Sequence, residues 1–162
     1  MRVYIPATLS MLERLVDDGS IQPLSGTAFA VTPALRESYA HGDDEELGEV
    51  AIGEAALASL RLLAAEPGAR PRRAVLIADA EANPRPDLDD AVVRIDGPVG
   101  LDQVAAAYVD NAAAEPAVQA AIAVIDEADL GDEDAELTVG DAQDHDLAWY
   151  DRSELPFLID LL

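Results

Sequence analysis

The sequence contains no cysteine, no lysine and only two histidines among its 162 residues. Without cysteine, the chain cannot form disulfides, thiolate zinc sites or iron–sulfur clusters. Without lysine, it cannot form a Schiff base with pyridoxal phosphate or complete the phosphate-binding P-loop motif. The two histidines, His41 and His145, do not have the short spacing of a zinc-binding pair. No GxSxG segment is present to indicate a serine hydrolase.

Long apolar runs are also missing. No stretch approaches the roughly 18 uninterrupted apolar residues of a membrane span, and the opening residues MRVYIPATLS lack the apolar core of a signal peptide. We therefore expect a cytoplasmic protein that does not contact membranes.

Negative charge dominates what is present. The chain has 33 Asp and Glu residues against ten Arg, which gives a formal net charge of −23 at pH 7. Such a field repels nucleic acids and anionic membranes. Because half of the residues are apolar, the chain is predicted to be globular rather than disordered. We expect one globular domain over residues 1–162, with a basic protein as the favoured partner.

Apolar patterning predicts about five strands interleaved with helices. Strands are predicted at residues 3–6, 26–32, 72–80, 91–96 and 147–151. Helices are predicted at residues 9–18 with Thr8 as the N-cap, then at 33–39, 44–65, 101–113 and 116–128, with a short last helix after Ser153. The order indicates an α/β (α+β) fold with a single mixed sheet of about five strands and helices packed on it. Only ten residues separate the third and fourth strands, so we expect these two to pair antiparallel.

The most acidic segment covers residues 126–146, DEADLGDEDAELTVGDAQDHD. It contains ten Asp or Glu residues and no arginine. An EF-hand loop needs acids at positions 1, 3 and 5, glycine at 6 and glutamate at 12, and registers starting at Asp129 or Asp132 do not fit. We expect a solvated acidic loop first, contact with a basic partner second and a specific metal site third. We assign no metal ligands and no cofactor.

Two aspartates at the ends of predicted strands are candidates for catalysis. Asp79 lies at the end of the apolar strand at 72–80, and Asp96 ends the next strand. Carboxylates at strand ends can hold a divalent cation or act as a base. If the two strands are antiparallel, however, these aspartates lie at opposite ends of the sheet, and turn formation explains each of them alone. The acids at 87–90 precede a strand rather than follow one, which does not match the DxD motif of haloacid-dehalogenase-like phosphatases.

Three arginines and two aromatic residues are candidates for binding. Arg70, Arg72 and Arg73 form the one basic cluster, which could bind a phosphate or carboxylate ligand or pair with the protein's own acids. Trp149 and Tyr150 belong to residue types that are common at interfaces. Burial of Trp149 in the core is the alternative.

Several segments resemble a family of short acidic actinobacterial proteins with no established function. They are MRVYIPAT, GTAFAVTPALRESYA, ASLRLLAA, RAVLIADA and LAWYD. The resemblance extends over nearly the full length and implies a bacterial cytosolic protein. It carries no catalytic residues onto this chain.

Two functions remain open from the sequence. The first is a non-enzymatic binding protein with a strongly acidic surface. The alternative is a small-molecule enzyme or ligand-binding protein that uses a carboxylate site, with or without a divalent metal, formed by Asp79, Asp96 and the acids at 87–90. A flat acidic face with exposed aromatics favours the first, and a deep pocket that gathers those acids favours the second. The oligomeric state is not specified by the sequence.

Overall fold

The computed structural model describes residues 1–162 and contains nine strands and six α-helices. The strands are β1 (Arg2–Ala7), β2 (Ser20–Ile21), β3 (Thr27–Phe29), β4 (Ala74–Asp79), β5 (Ala82–Pro84), β6 (Val92–Ile95), β7 (Val99–Gly100), β8 (Val104–Asp110) and β9 (Leu147–Asp151). The helices are α1 (Leu9–Asp18), α2 (Pro33–Ser38), α3 (Asp44–Ala64), α4 (Glu115–Asp129), α5 (Glu133–Gln143) and α6 (Leu155–Asp160).

Seven of the strands form one sheet in the order β5–β6–β3–β1–β4–β8–β9, and every neighbouring pair is antiparallel. Strands β2 and β7 form a separate antiparallel ribbon. The predicted α/β class is confirmed. The prediction of about five strands in a mixed sheet is wrong, because short strands such as β5 carry too few residues to show a pattern.

Local signals at helix ends account for the elements that were predicted well. The side chain of Thr8 accepts a hydrogen bond from the Met11 backbone N–H, which begins α1, and Gly19 ends it with a φ of 81°. Thr32 caps α2 in the same way, ahead of Pro33. The acids at the start of α3 include Asp43, which caps Glu46 N–H.

The predicted pairing of the third and fourth strands is wrong. These strands correspond to β4 and β6, and β1 and β3 lie between them in the sheet. The reason is that the connecting segment contains β5, which forms a hairpin with β6 and lets the chain cross to the far edge.

Residues 101–113 do not form the predicted helix. Leu101–Gln103 form one 3-10 turn, and β8 follows between β4 and β9. Alanine favours helices, but its intrinsic preference is below 1 kcal/mol per residue and is readily overridden by tertiary context. The pairing of β8 on both sides supplies that context here.

The acidic segment at 126–146 is not the predicted loop. It contains the end of α4, a short turn and the whole of α5. Asp132 caps α5 by accepting a hydrogen bond from Ala135 N–H at 2.8 Å. Acids in the first turn of α5 are favoured by the helix dipole, and the small apolar face of Ala135, Val139 and Ala142 is buried.

Helices cover both faces of the sheet. On one face, α1 and α6 pack on the largest apolar cluster, which includes Ile5, Leu12 and Leu76. On the other face, the first half of α3 packs on Phe29 and Val75. The second half of α3 forms a third cluster with α4 and α5.

A buried ion pair joins three strands of the sheet at one point. The side chains of Arg73 and Asp110 are 3% and 0% exposed. Asp110 accepts hydrogen bonds at 2.8 Å from the backbone N–H, Nε and Nη2 of Arg73. Nη2 of Arg73 also donates to the His145 carbonyl at 2.8 Å. The cluster therefore fixes the start of β4, the end of β8 and the approach to β9.

We predict that Asp110→Ala lowers the free energy of unfolding by about 3–5 kcal/mol, because it leaves a buried guanidinium without its partner. Urea denaturation monitored by circular dichroism measures this loss. Asp79→Ala removes the partner of an exposed arginine and serves as the control, with only a small expected effect. Equal losses in the two variants would contradict the prediction.

Candidate functional site

The two candidate catalytic aspartates do not come together. Asp79 accepts two hydrogen bonds at 3.0 Å from the guanidinium of Arg2, and this contact lowers the pKa of Asp79. The antiparallel pairings across the sheet make β6 run opposite to β4. Asp96, which follows β6, therefore lies at the other end of the sheet from Asp79.

The acids at 87–90 have local partners instead of a shared site. Asp87 accepts hydrogen bonds from Arg85 at 2.8 and 2.9 Å, and Arg85 lowers the pKa of Asp87. Asp90 accepts a hydrogen bond from the Ser38 hydroxyl. The structure contains no group of three or more His, Asp or Glu side chains arranged to hold a metal ion.

Two of the three candidate arginines bind the protein's own acids. Arg73 forms the buried pair with Asp110, and Arg72 bonds to Glu115 at 2.9 and 3.0 Å. Arg70 is exposed and lines an open cavity of about 250 Å³ at the start of α1. Glu66 lines the same cavity and accepts a hydrogen bond from Ser10 there. The three arginines therefore do not form one ligand site.

The two aromatic candidates lie on β9, the last strand of the sheet. Trp149 is 55% exposed, so it is not a core residue. It stands opposite Tyr108 in the β8–β9 register and shares its face of the sheet. Tyr150 points to the other face, where it is partly buried against the largest apolar cluster. Trp149 is therefore the more exposed of the two.

The outer side of β9 has unpaired backbone groups. The backbone N–H of Asp110 donates to the Arg73 carbonyl, so Asp110 bonds toward β4 and the residues next to it bond toward β9. In an antiparallel ladder this direction alternates along the strand. In the β8–β9 register, Leu147 lies opposite Asp110 and Trp149 lies opposite Tyr108, and both of these β8 residues bond toward β4. The backbone N–H and C=O groups of Leu147 and Trp149 therefore point away from the sheet.

Both ends of this edge are acidic. Asp144 and Asp146 are exposed just before β9, and Asp151 and Glu154 follow Trp149. Hydrogen bonds from the Ser153 hydroxyl and N–H lower the pKa of Asp151, which keeps it ionised. The nearby Arg152 donates to the carbonyls of Leu101 and Asp102.

The opposite edge of the sheet is short and partly blocked. It is formed by β5, which has three residues and ends at Pro84. Arg85 N–H donates inward to the Val92 carbonyl, so the nitrogen of Pro84 faces outward, where it has no hydrogen to donate. Short strands and outward-facing proline are common ways to block a sheet edge. Strand β9 has five residues and no proline.

Glu54 is a perturbed carboxylate that the sequence did not single out. It lies half-buried on α3 beside an open cavity of about 360 Å³ that Asp89 also lines. Burial raises the pKa of Glu54, and the negative charge of Asp89 adds to that effect. Its position inside the apolar run AIGEAALASL is the one signal in the sequence that could have identified it.

Residues 1–159 match a family described as Family of unknown function (DUF6912). The chain belongs to this family. Comparison with curated proteins and with solved structures gives no match. The expected membership in a family of unknown function is therefore confirmed, and DUF6912 membership assigns no catalytic residue. None of the helices of this DUF6912 chain is both long and apolar enough to cross a bilayer.

We predict that divalent cations stabilise this DUF6912 protein only by screening. Melting temperatures in millimolar Ca²⁺, Mg²⁺ and Mn²⁺ at matched ionic strength should rise by the same small amount, because the carboxylates are dispersed. A specific site at 100 times its Kd would add about 2.7 kcal/mol. A shift of several degrees for one ion alone would show that such a site exists.

We predict that Glu54→Gln raises the melting temperature at pH 7. The folded protein holds the pKa of Glu54 above its unfolded value, so ionisation in the folded state opposes folding. This penalty is complete above the folded pKa and disappears as the pH falls below the unfolded value of about 4.3. The two proteins should therefore melt alike near pH 4.

The control for this measurement is Glu49→Gln, which removes an exposed acid from the same helix and the same amount of net charge. An equal rise in both variants at pH 7 would assign the effect to net charge rather than to the burial of Glu54.

Proposed function

We propose that this protein is a non-enzymatic, cytoplasmic binding protein whose acidic surface receives a basic protein partner. The observation that carries this proposal is the unneutralised charge of the folded surface. Six carboxylates form ion pairs with arginines, and the other 27 of the 33 do not. A partner rich in Arg or Lys would supply the missing countercharge.

The position of some acids supports a role in binding. Asp141 and Asp144 lie at the end of α5, shortly before β9. Negative charge at the C-terminal end of a helix is unfavourable, because the helix dipole places negative charge there as well. Stability therefore does not account for these acids, whereas attraction of a cationic partner does.

The alternative function, an enzyme or ligand-binding protein with a carboxylate site, has less support. Its proposed residues Asp79 and Asp96 lie at opposite ends of the sheet, and Asp79 is bound to Arg2. The half-buried Glu54 next to Asp89 is the one remaining observation in its favour. That pair lies away from both proposed aspartates, so it does not restore the predicted site.

Partner binding through the acids at the start of β9 can be tested with two triple variants of equal net charge. In the first, Asp141, Asp144 and Asp146 become Asn. In the second, Glu13→Gln is combined with Asp17→Asn and Asp18→Asn on α1, and every residue changed in either variant is exposed or half-exposed. Both remove acids near a helix C-terminus, so neither is expected to unfold the protein.

The immobilised wild-type protein should retain basic proteins from a cytosolic extract at low salt. Their association rates, measured with the purified captured protein, should fall by about tenfold or more when salt is raised. The first variant should weaken this binding, and the second should retain it. Loss of binding in both variants to the same degree would indicate attraction without a defined surface, and the absence of any basic protein at low salt would refute the proposal.

A further inference from the structure

We infer that the open edge of β9 binds one extended cationic segment of the partner, which adds an eighth strand to the sheet. This inference rests on the proposed function and names the surface and the kind of segment that the surface recognises. Four observations support it: free backbone groups, one exposed aromatic side chain, flanking acids and a partly blocked opposite edge.

The backbone of β9 is prepared for pairing on its outer side. Leu147 and Trp149 direct two N–H donors and two C=O acceptors outward, in the alternating arrangement that β9 already uses toward β8. Strand addition uses such groups for affinity and the alternating side chains for specificity. The N–H of Asp151 is already bonded to the Glu154 carboxylate at 3.2 Å, so the free ladder ends before that residue.

The side chains of β9 next to these free backbone groups favour cationic side chains at alternate positions of the added strand. Trp149 and Asp151 lie two residues apart and therefore share one face of the sheet. In an added strand, one side chain would lie next to the indole of Trp149. The side chain two residues further along that strand would lie next to the carboxylate of Asp151. Arg or Lys suits both positions, through a cation–π contact with Trp149 and an ion pair with Asp151. The predicted segment therefore carries Arg or Lys at positions i and i+2.

Charge argues against a second copy of this chain as the added strand. Pairing two β9 strands would bring together two chains that each have a net charge of −23 and acids at both ends of the strand. Acidic residues at an edge oppose self-pairing. The same acidic residues attract a cationic strand, so they favour a cationic partner segment over a second copy of this chain.

Blocked seven-residue peptides in which Arg alternates with Val provide the probe. Trp149 is the only tryptophan of the protein, so its fluorescence reports on events at β9. We expect this peptide to bind and to change Trp149 emission, and we expect a peptide with Glu in place of Arg not to bind. Equal binding of the two peptides would refute selection by charge.

Backbone methylation distinguishes strand addition from simple charge attraction. In an added strand, alternate N–H groups point toward β9 and the others point to solvent. Methylating one alternate set of peptide nitrogens should weaken binding by tenfold or more, while methylating the other set should change it by less than about threefold. Equal effects of the two sets would overturn the inference and leave the proposed function intact.

Two protein variants locate the contact. Trp149→Ala should weaken binding of a fluorescein-labelled peptide, followed by anisotropy, by about tenfold. Phe157→Ala removes another exposed aromatic, which is 71% exposed on α6, and should not change binding. Equal effects of the two substitutions would place the contact elsewhere.

Sedimentation is the final check, because a dimer of the wild-type protein that Trp149→Ala dissociates would identify a second copy as the occupant and overturn the inference.

If the arginine peptide does not bind and the immobilised protein also retains no basic protein at low salt, the proposed function fails together with the inference. If basic proteins bind through the acids at 141–146 and the arginine peptide does not bind at all, only the inference fails.

Discussion

The buried contact between Arg73 and Asp110 is the interaction on which the rest of the structure depends. Moving two charges out of water is costly, and the cost is offset here because Asp110 receives three hydrogen bonds from Arg73. Nη2, one of these donors, also holds the carbonyl of His145, which lies two residues before β9. The last strand is therefore fixed in register by the same guanidinium that joins β4 to β8, and the orientation of Trp149 follows from that register.

A chain with this excess of negative charge has to fold against its own repulsion. Part of the solution is local, because acids in the first turns of α3 and α5 lie where the helix dipole favours them. Arginines account for another part, and the pairs of Arg2 with Asp79 and of Arg61 with Asp129 connect elements that are far apart in sequence. The acids that remain lie on the surface, and those near the end of α5 lead directly into β9. Topology therefore places several acids without an arginine partner beside the open edge of the sheet.

The features that the sequence predicted well are those set by neighbouring residues. The cap at Thr8, the end of α1 at Gly19 and the strand around Leu76 depend on local hydrogen bonds or on a continuous apolar run.

The errors arose where distant contacts decide the outcome. Residues 104–110 read as a helix because alanine dominates them, and they form a strand because β4 and β9 pair with both of their sides. The acidic segment read as a loop because its apolar face consists of small residues such as Ala135 and Ala142. The exposed aromatic at 149 was among the candidates, but no sequence pattern shows which strand lies at an edge. Glu54 was missed because its perturbation comes from burial and from Asp89, which is remote in sequence.

The asymmetry of the two sheet edges determines what kind of assembly the protein can form. A sheet that is open at both edges can bind copies of itself head to tail, and such contacts continue into filaments when no rotation closes them. Here Pro84 removes a donor from one edge, and acids surround the other. Strand addition is therefore favoured at β9 over β5, and an added strand would itself become the new edge of the sheet. The side chains of the first partner segment then decide whether a second can follow, because like charges directly opposite each other on neighbouring strands are destabilising.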